Sequence, residues 1–519
     1  MLVLCLNSLK MILKRLIKIV AIFAVSCSWA QEINVDIQKT KLFESENKFF
    51  GLHDIKDDGN GGFIALREFS KATFTDKRFY QVEFYDKKMK LTKSFELDFK
   101  KEFRVKHENF LLSLLVKEGV YHLIVFEHNA KSKEYVCSVL SSKLNELSLV
   151  KKELFRIEET KIKSGFLGQY DPENILQQHV FFNENKTNFA VMIDIYEDKN
   201  DSKNFYIFDN NFNLIKDYNS VKNVKDENCR LLEIVLSNTN EVYLLNEIWR
   251  EKNKDRKELG EVYYDLDKIS NDNKASSIKV SGNGKERFDV PKIKLNDNSL
   301  FLVSYYYDDK ETRKGLAVFE YNANDLVLKT NKFNLFTDKL ILEKQNAKGK
   351  VEWHPIRVND IYFDTNELIV CSEEYYEVSG GVGSNSYSYW RRGDVFIEKI
   401  NFKNEVYWEN LTHRNRPDKN VGLMPTKSFY KDGDLYLFSN VLDENKLDEI
   451  NVSLSKLNRS LSCFKISKDG KFNYSDLING EEITSYINLS GVFCENKNEF
   501  LFIGTVKDKN VYQYYKITF

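Results

Sequence analysis

One motif returns along this chain at near-regular intervals, and it limits the fold more than any other feature. An alternating apolar strand meets a polar turn of two to four residues, and a second alternating strand follows. It reads FYDKKMKLTKSF from Phe84, IFDNNFNLIKDY from Ile207, FEYNANDLVLKT from Phe319, KINFKNEVYWEN from Lys399 and FKISKDGKFNYS from Phe464. Period-two alternation on both sides of an Asp, Asn, Lys or Gly turn predicts a β-hairpin. Upstream of each hairpin lies a further strand: GFIALREF from Gly62, NFAVMIDIY from Asn188, SLFLVSYYY from Ser299, ELIVCSEEYYEV from Glu367 and DLYLFSNV from Asp434. Three looser units surround VYHLIVFEH from Val120, EVYLLNEIW from Glu241 and EFLFIGTV from Glu499. Helical periodicity is scarce, and an aromatic content of 14% suits strands, because flat rings pack well on a pleated surface.

The count is eight units, with successive strands of the second set roughly 53 to 68 residues apart. Four-stranded units repeated at such a period predict an all-β fold, a single closed β-propeller of eight blades, or seven if a looser unit is an insertion. The last unit reaches Phe519 with three evident strands, and EINVDIQ (Glu32 to Gln38) is the expected fourth. Closing the ring this way removes the open edges of a long antiparallel array. Residues 31–519 are therefore expected to form one propeller domain. The pattern resembles secreted bacterial β-propeller proteins over nearly the whole of that span. A WD series, a kelch Gly-Gly pattern and a regular tryptophan series are all missing, so the resemblance implies a fold and a ligand-presenting face, with no particular chemistry.

Residues 1–30 read as a signal peptide. Lys10, Lys14, Arg15 and Lys18 precede the apolar run IVAIFAV, and Ser28 and Ala30 sit where a signal peptidase requires small residues, with cleavage before Gln31. Cys27 is a poor lipobox match, and Met11 is an alternative start. The apolar run is short for a bilayer, so the expectation is an exported protein (periplasmic, cell-surface or extracellular) without a transmembrane segment. The whole chain carries net charge −1, and losing four cations and no acid leaves about −5. That mild acidity argues against nucleic-acid binding. Cys137, Cys229, Cys371, Cys463 and Cys494 remain, scattered among apolar strands; no CxxC or Cys/His cluster appears, so neither a zinc site nor a cofactor is expected. Small buried side chains are the plain reading of these cysteines, with a Cys463–Cys494 disulfide the one pairing to test.

The run SGGVGSNSYSYWRRGD (Ser379 to Asp394) is the most glycine-rich stretch of a glycine-poor chain. It lacks the GxxxxGK[ST] of a phosphate loop, and no helix follows it. It reads instead as the loop between the second and third strands of the sixth unit, its glycines admitting positive φ. In a propeller such loops emerge on the same face as the blade-to-blade connections. The candidate ligand-binding residues are accordingly Trp353 and His354 before the unit, Tyr375 and Tyr376 at the strand end, Tyr389, Trp390, Arg391 and Arg392 in the loop, and His413, Arg414 and Arg416 in the next connection. Aromatic faces beside guanidiniums can stack a flat or sugar-like group and grip an anion. The competing reading is loops packed on each other, with the arginines salt-bridged to neighbouring acids.

Other constellations carry less. GxSxG and HExxH are absent. His122 and His128 share one strand and read as strand-face residues. The acidic turn from Tyr196 to Asp201 lacks the spaced ligands of a calcium loop. Glu373 and Glu374 are adjacent in a strand, so at most one is expected to face a ligand. The functional expectation is an exported, non-catalytic binding or scaffold propeller that recognises a protein, peptide or glycan through its loop face. The alternative is a carbohydrate- or peptide-active hydrolase or lyase with its site in the central channel.

Overall fold

The computed structural model describes residues 33, 35–44, 49–70, 78–97, 109–163, 179–197, 200–225, 228–249, 262–281, 286–308, 310, 312–345, 350–380, 387–401, 406–412, 426–442, 459–478, 487–494, 499–506 and 511–519. Their strands form eight antiparallel sheets of four or five strands, taken in sequence order around an eight-bladed β-propeller. The expected N-terminal cleavage site and leader lie outside the described residues. No helix among the described residues is long and apolar enough to cross a membrane.

Each blade is a meander whose first strand is innermost. The inner strands are Phe49–Asp57, Asn109–Lys117, Val180–Phe182, Cys229–Leu236, Lys292–Asn296 with its short forerunner Arg287–Phe288, Ile356–Asp364, Lys427–Lys431 and Ile487–Cys494. All eight strands recognised as upstream partners in the sequence are second strands of blades, and the five hairpins join third to fourth strands. Second strands are apolar nearly throughout because both faces of a blade are covered. In blade 6, Leu368 and Val370 pack toward blade 5, while Ile369 and Cys371 pack toward blade 7. In blade 1, Ile64 and Leu66 meet blade 2, while Phe63 and Ala65 meet blade 8. The core is thus a set of seams, one between each pair of neighbouring blades.

The ring closes as the sequence implies. Asp36–Lys39 adds antiparallel to Val511–Thr518, with Asp36 opposite Thr518 and Lys39 opposite Tyr515. Phe43–Glu44 continues along the same strand, opposite Tyr512 and Val511. Ile33 is buried with Phe500, Phe502, Tyr515 and Ile517 beneath this seam. Cys137, Cys229, Cys371 and Cys463 are free thiols, so Cys463 does not take the disulfide considered above. Burial raises the Cys137, Cys371 and Cys463 thiols, as expected of small side chains in an apolar interior.

Four of the eight inner strands share a feature that the repeat pattern did not reveal. Register shifts by one residue between Leu52 and Asp54, Leu111 and Ser113, Leu231 and Glu233, and Val358 and Asp360. A polar residue follows each bulge, and three of the four are acids. These acids tie neighbouring blades together: Asp54 accepts the Leu114 N–H of blade 2 at 3.2 Å, Glu233 meets Lys292 of blade 5 at 3.3 Å, and Asp360 accepts the Ser428 hydroxyl of blade 7 at 2.6 Å. In blade 5 the interrupted strand places Asp289 alike. It clamps Arg313 (2.9 and 3.2 Å) and accepts the Ile356 N–H of blade 6 at 3.0 Å. Truncating Ile517 to alanine, in the closing seam, should cost about 2–5 kcal/mol through lost packing and the cavity left behind, read as a lower urea midpoint.

Candidate functional site

Among the described residues, blade 6 carries the longest pair of strands, Glu367–Gly380 and Tyr387–Asn401. Pairing continues past the expected loop start: Val378 lies opposite Tyr389, Tyr376 opposite Arg391, Tyr375 opposite Arg392 and Gly380 opposite Tyr387. The loop expected from Ser379 to Asp394 is therefore a raised two-stranded ribbon over most of its length. Tyr387, Tyr389 and Trp390 favour strand, and glycine at 380 does not interrupt it. The side chains of Tyr389, Trp390, Arg391 and Arg392 lie outside the described residues, as do His413, Arg414 and Arg416. The strand that leads to His413, Val406–Thr412, ends opposite Val395, at the base of this ribbon.

The described candidates gather beneath the ribbon on the approach to the inner strand. The His354 ring stacks on Tyr376 with centroids 3.7 Å apart and planes within 10°. The Tyr375 N–H donates to the Pro355 carbonyl at 2.8 Å, which ties the approach segment to the strand end. Trp353 is partly buried, stacked on Phe336 at 4.4 Å, and belongs to the seam between blades 5 and 6. His354, Tyr375 and Tyr376 are half-buried, while the neighbouring Trp353 turns into the seam.

Three buried charges support this surface, and the sequence pointed to only one of them. The helix α1 (Asp338–Lys344) sits in the connection from blade 5, its N-terminus capped by the Thr337 hydroxyl, which accepts from the Leu340 N–H at 3.2 Å. Its last residue, Lys344, reaches Glu374 and Asp394, each at 2.6 Å, with all three side chains nearly excluded from solvent. Glu374 also accepts the Asp394 N–H at 3.0 Å and the His354 N–H at 3.3 Å. Gly393 makes room for this fold-back, since a Cβ there would lie 2.2 Å from a Glu374 carboxylate oxygen. The glycines of this run were expected to admit positive φ in a loop; Gly393 instead lies within a strand without positive φ, and its lack of a side chain is what the site uses. Nothing in the sequence marks Lys344 as its counterpart. Both Glu373 and Glu374 are buried, within the expectation that at most one would face a ligand, and the strand bulges between Glu373 and Tyr375.

Lower in the same blade, two carboxyl groups face each other across the third and fourth strands, Glu398 opposite Glu409. Glu398 accepts the Tyr305 hydroxyl at 2.8 Å, and Glu409 accepts the Thr337 hydroxyl at the start of α1. Burial, reinforced by the neighbouring Glu409, pushes Glu398 up to about 8, and burial raises Glu409 as well. Elsewhere, His122 shares a 2.8 Å hydrogen bond with Ser141, and burial lowers its pKa to about 4. His128 meets Glu159 at 3.2 Å. Among the described residues no three His, Cys, Asp or Glu side chains converge as a metal-holding set.

No protein-family model matches the sequence, and no curated protein matches it. Several solved structures are similar at low TM-score. The WD40 domain of SCAP from fission yeast is similar at TM-score 0.37 and 9% identity, over 93% of this chain and 98% of that one. The β-propeller domain of the trilobed protease from Pyrococcus furiosus is similar at 0.33 and 9%, over 84% and 98%. The acylaminoacyl peptidase of Pyrococcus horikoshii is similar at 0.36 and 8%; the match takes in 90% of this chain and 59% of the peptidase. Propeller neighbours thus include both parts of peptidases and a WD40 domain.

Two outcomes follow from the buried charges. Replacing Lys344 with methionine strands Glu374 and Asp394 without their shared cation and should cost about 3–5 kcal/mol in a urea melt. Glu398 holds its proton more tightly in the folded chain than in the unfolded one, where it titrates near 4.5. Its contribution to stability is therefore present in acid and lost as pH rises from about 4.5 through about 8. Glu398→Gln should flatten that slope in melts taken across the interval.

Proposed function

We propose that this is an exported, non-catalytic propeller that recognises a protein, peptide or glycan through the upper face of the ring, with blade 6 as the contact ridge. The observation that carries the reading is the half-buried aromatic surface of His354, Tyr375 and Tyr376 beneath the raised ribbon, held by a buried lysine and two carboxylates. Aromatic faces fixed by packing at a rim offer contact area at little cost in conformational freedom. Trp390, Arg391 and Arg392 follow on the ribbon itself, and His413, Arg414 and Arg416 follow the strand beside it; they extend the proposed surface.

Recognition is favoured over acid–base chemistry by where the carboxylates go. Glu374 and Asp394 bind Lys344, and Asp54, Glu233, Asp289 and Asp360 each bridge to a neighbouring blade. A hydrolase would need such groups turned to a substrate. The test is an array of glycans and peptides probed with the wild-type protein and with the His354→Ala/Tyr376→Ala double variant. Ligands held by the wild type should weaken about tenfold in a variant that melts normally, as loss of an aromatic stack implies. Unchanged binding of every such ligand would remove the rim from the account, and hydrolysis of a bound ligand would favour the catalytic alternative.

A further inference from the structure

Blades 4 and 6 place an arginine at the same point of the inner strand, three residues before the bulge acid: Arg230 before Glu233, and Arg357 before Asp360. In each blade the residue opposite the arginine on the second strand is a glutamate, Glu247 or Glu373. The two pairs differ. Arg230 is neutralised by Glu247 at 2.5 Å, and Glu247 is approached at 3.5 Å by the Tyr264 hydroxyl. Glu373 instead accepts the Thr426 hydroxyl of blade 7 at 3.5 Å. Among the described residues no carboxylate lies within ion-pair distance of Arg357, whose guanidinium is placed over the Tyr375 ring, 5.8 Å from its centroid. The site is half-buried on an inner strand, and Arg230 and Glu233 of blade 4, two blades away around the ring, act on its charge, which sets the guanidinium on the channel side of blade 6. Burial lowers its pKa, against the opposing pull of Tyr375 and Glu233 and with a smaller push from Arg230. A desolvated guanidinium over an aromatic face, with Glu233 acting on it only from beyond ion-pair distance and no nearer carboxylate among the described residues, is an incomplete ion pair.

We propose that Arg357, seated over Tyr375, anchors a carboxylate-binding site at the upper mouth of the central channel, the ligand carboxylate taking the place that Glu247 takes beside Arg230. A guanidinium edge presents two parallel N–H groups that match a carboxylate. Peptide chain ends, acidic side chains and sugar acids all carry that group. The inference rests on the reading that the upper face binds ligands, and it names what the centre of that face would hold.

The experiment titrates the full chain with N-acetylglycine, glucuronate, N-acetylglycinamide and sulfate, by calorimetry and by thermal shift. One or both carboxylates should bind saturably, and the neutral amide should not. Which of the two binds separates a peptide source from a sugar source. Arg357→Gln should weaken carboxylate binding at least tenfold, while Arg357→Lys should retain part of it. Without ligand, Arg357→Gln should melt at or above the wild-type temperature, because it removes an unmatched charge. Failure of both carboxylates to bind, equal binding by Arg357→Gln, or sulfate alone showing Arg357-dependent binding would each overturn the proposal. A lower melting temperature for Arg357→Gln would make the residue structural and overturn it too. The His354→Ala/Tyr376→Ala variant separates the two readings: loss of its effect on larger ligands with Arg357 dependence intact would reject the rim and leave the channel site standing.

Discussion

The structure depends on covering both faces of every blade. A four-stranded antiparallel sheet with two apolar faces has no stable existence in water, and this chain solves the problem by giving each blade two neighbours. Eight hydrophobic seams result, built largely from alternate residues of second and third strands and completed by the strands on either side. A linear stack would leave two faces bare. The addition of Asp36–Lys39 to the last blade turns the stack into a ring with no first or last face.

The seams are apolar, yet the ring needs a hub. Inner strands converge on the axis, where side chains have little to pack against and each strand shows an edge to the channel. Acids placed after the bulges answer this, each reaching a backbone amide, a lysine or a hydroxyl on an adjacent inner strand. Bonds of this kind contribute modestly one by one. Their larger effect is angular: they hold neighbouring blades at a fixed offset, which in turn sets the geometry of the upper face.

Much of this was readable in advance. Second strands announce themselves as short, nearly continuous apolar runs because both faces are buried, hairpins by alternation about a polar turn, and their recurrence pointed to eight blades, with seven left open. The inner strands do not. Their outer neighbour is protein and their inner neighbour is the channel, so IRVNDIYFD and CRLLEIVL mix apolar and charged residues, with an extra residue that breaks the period. The candidate site was legible in part. Trp353, His354, Tyr375 and Tyr376 stood out as aromatics near a strand end, and the fold brings them to one place. Lys344 and Arg357 were silent, since the value of a charge depends on which carboxylate reaches it, and that is decided by residues distant in sequence.

The one-residue bulges act as parity markers. Downstream of each, every side chain occupies the face it would lose if the extra residue were removed. Exchanging His53 or Asn359 for another polar residue leaves that assignment alone, whereas deleting either would turn Asp54 or Asp360 into the seam and its apolar neighbours toward the axis. For these strands, chain length is thus held more tightly than side-chain identity, and the family of sequences able to build this ring is bounded by insertions and deletions before it is bounded by chemistry.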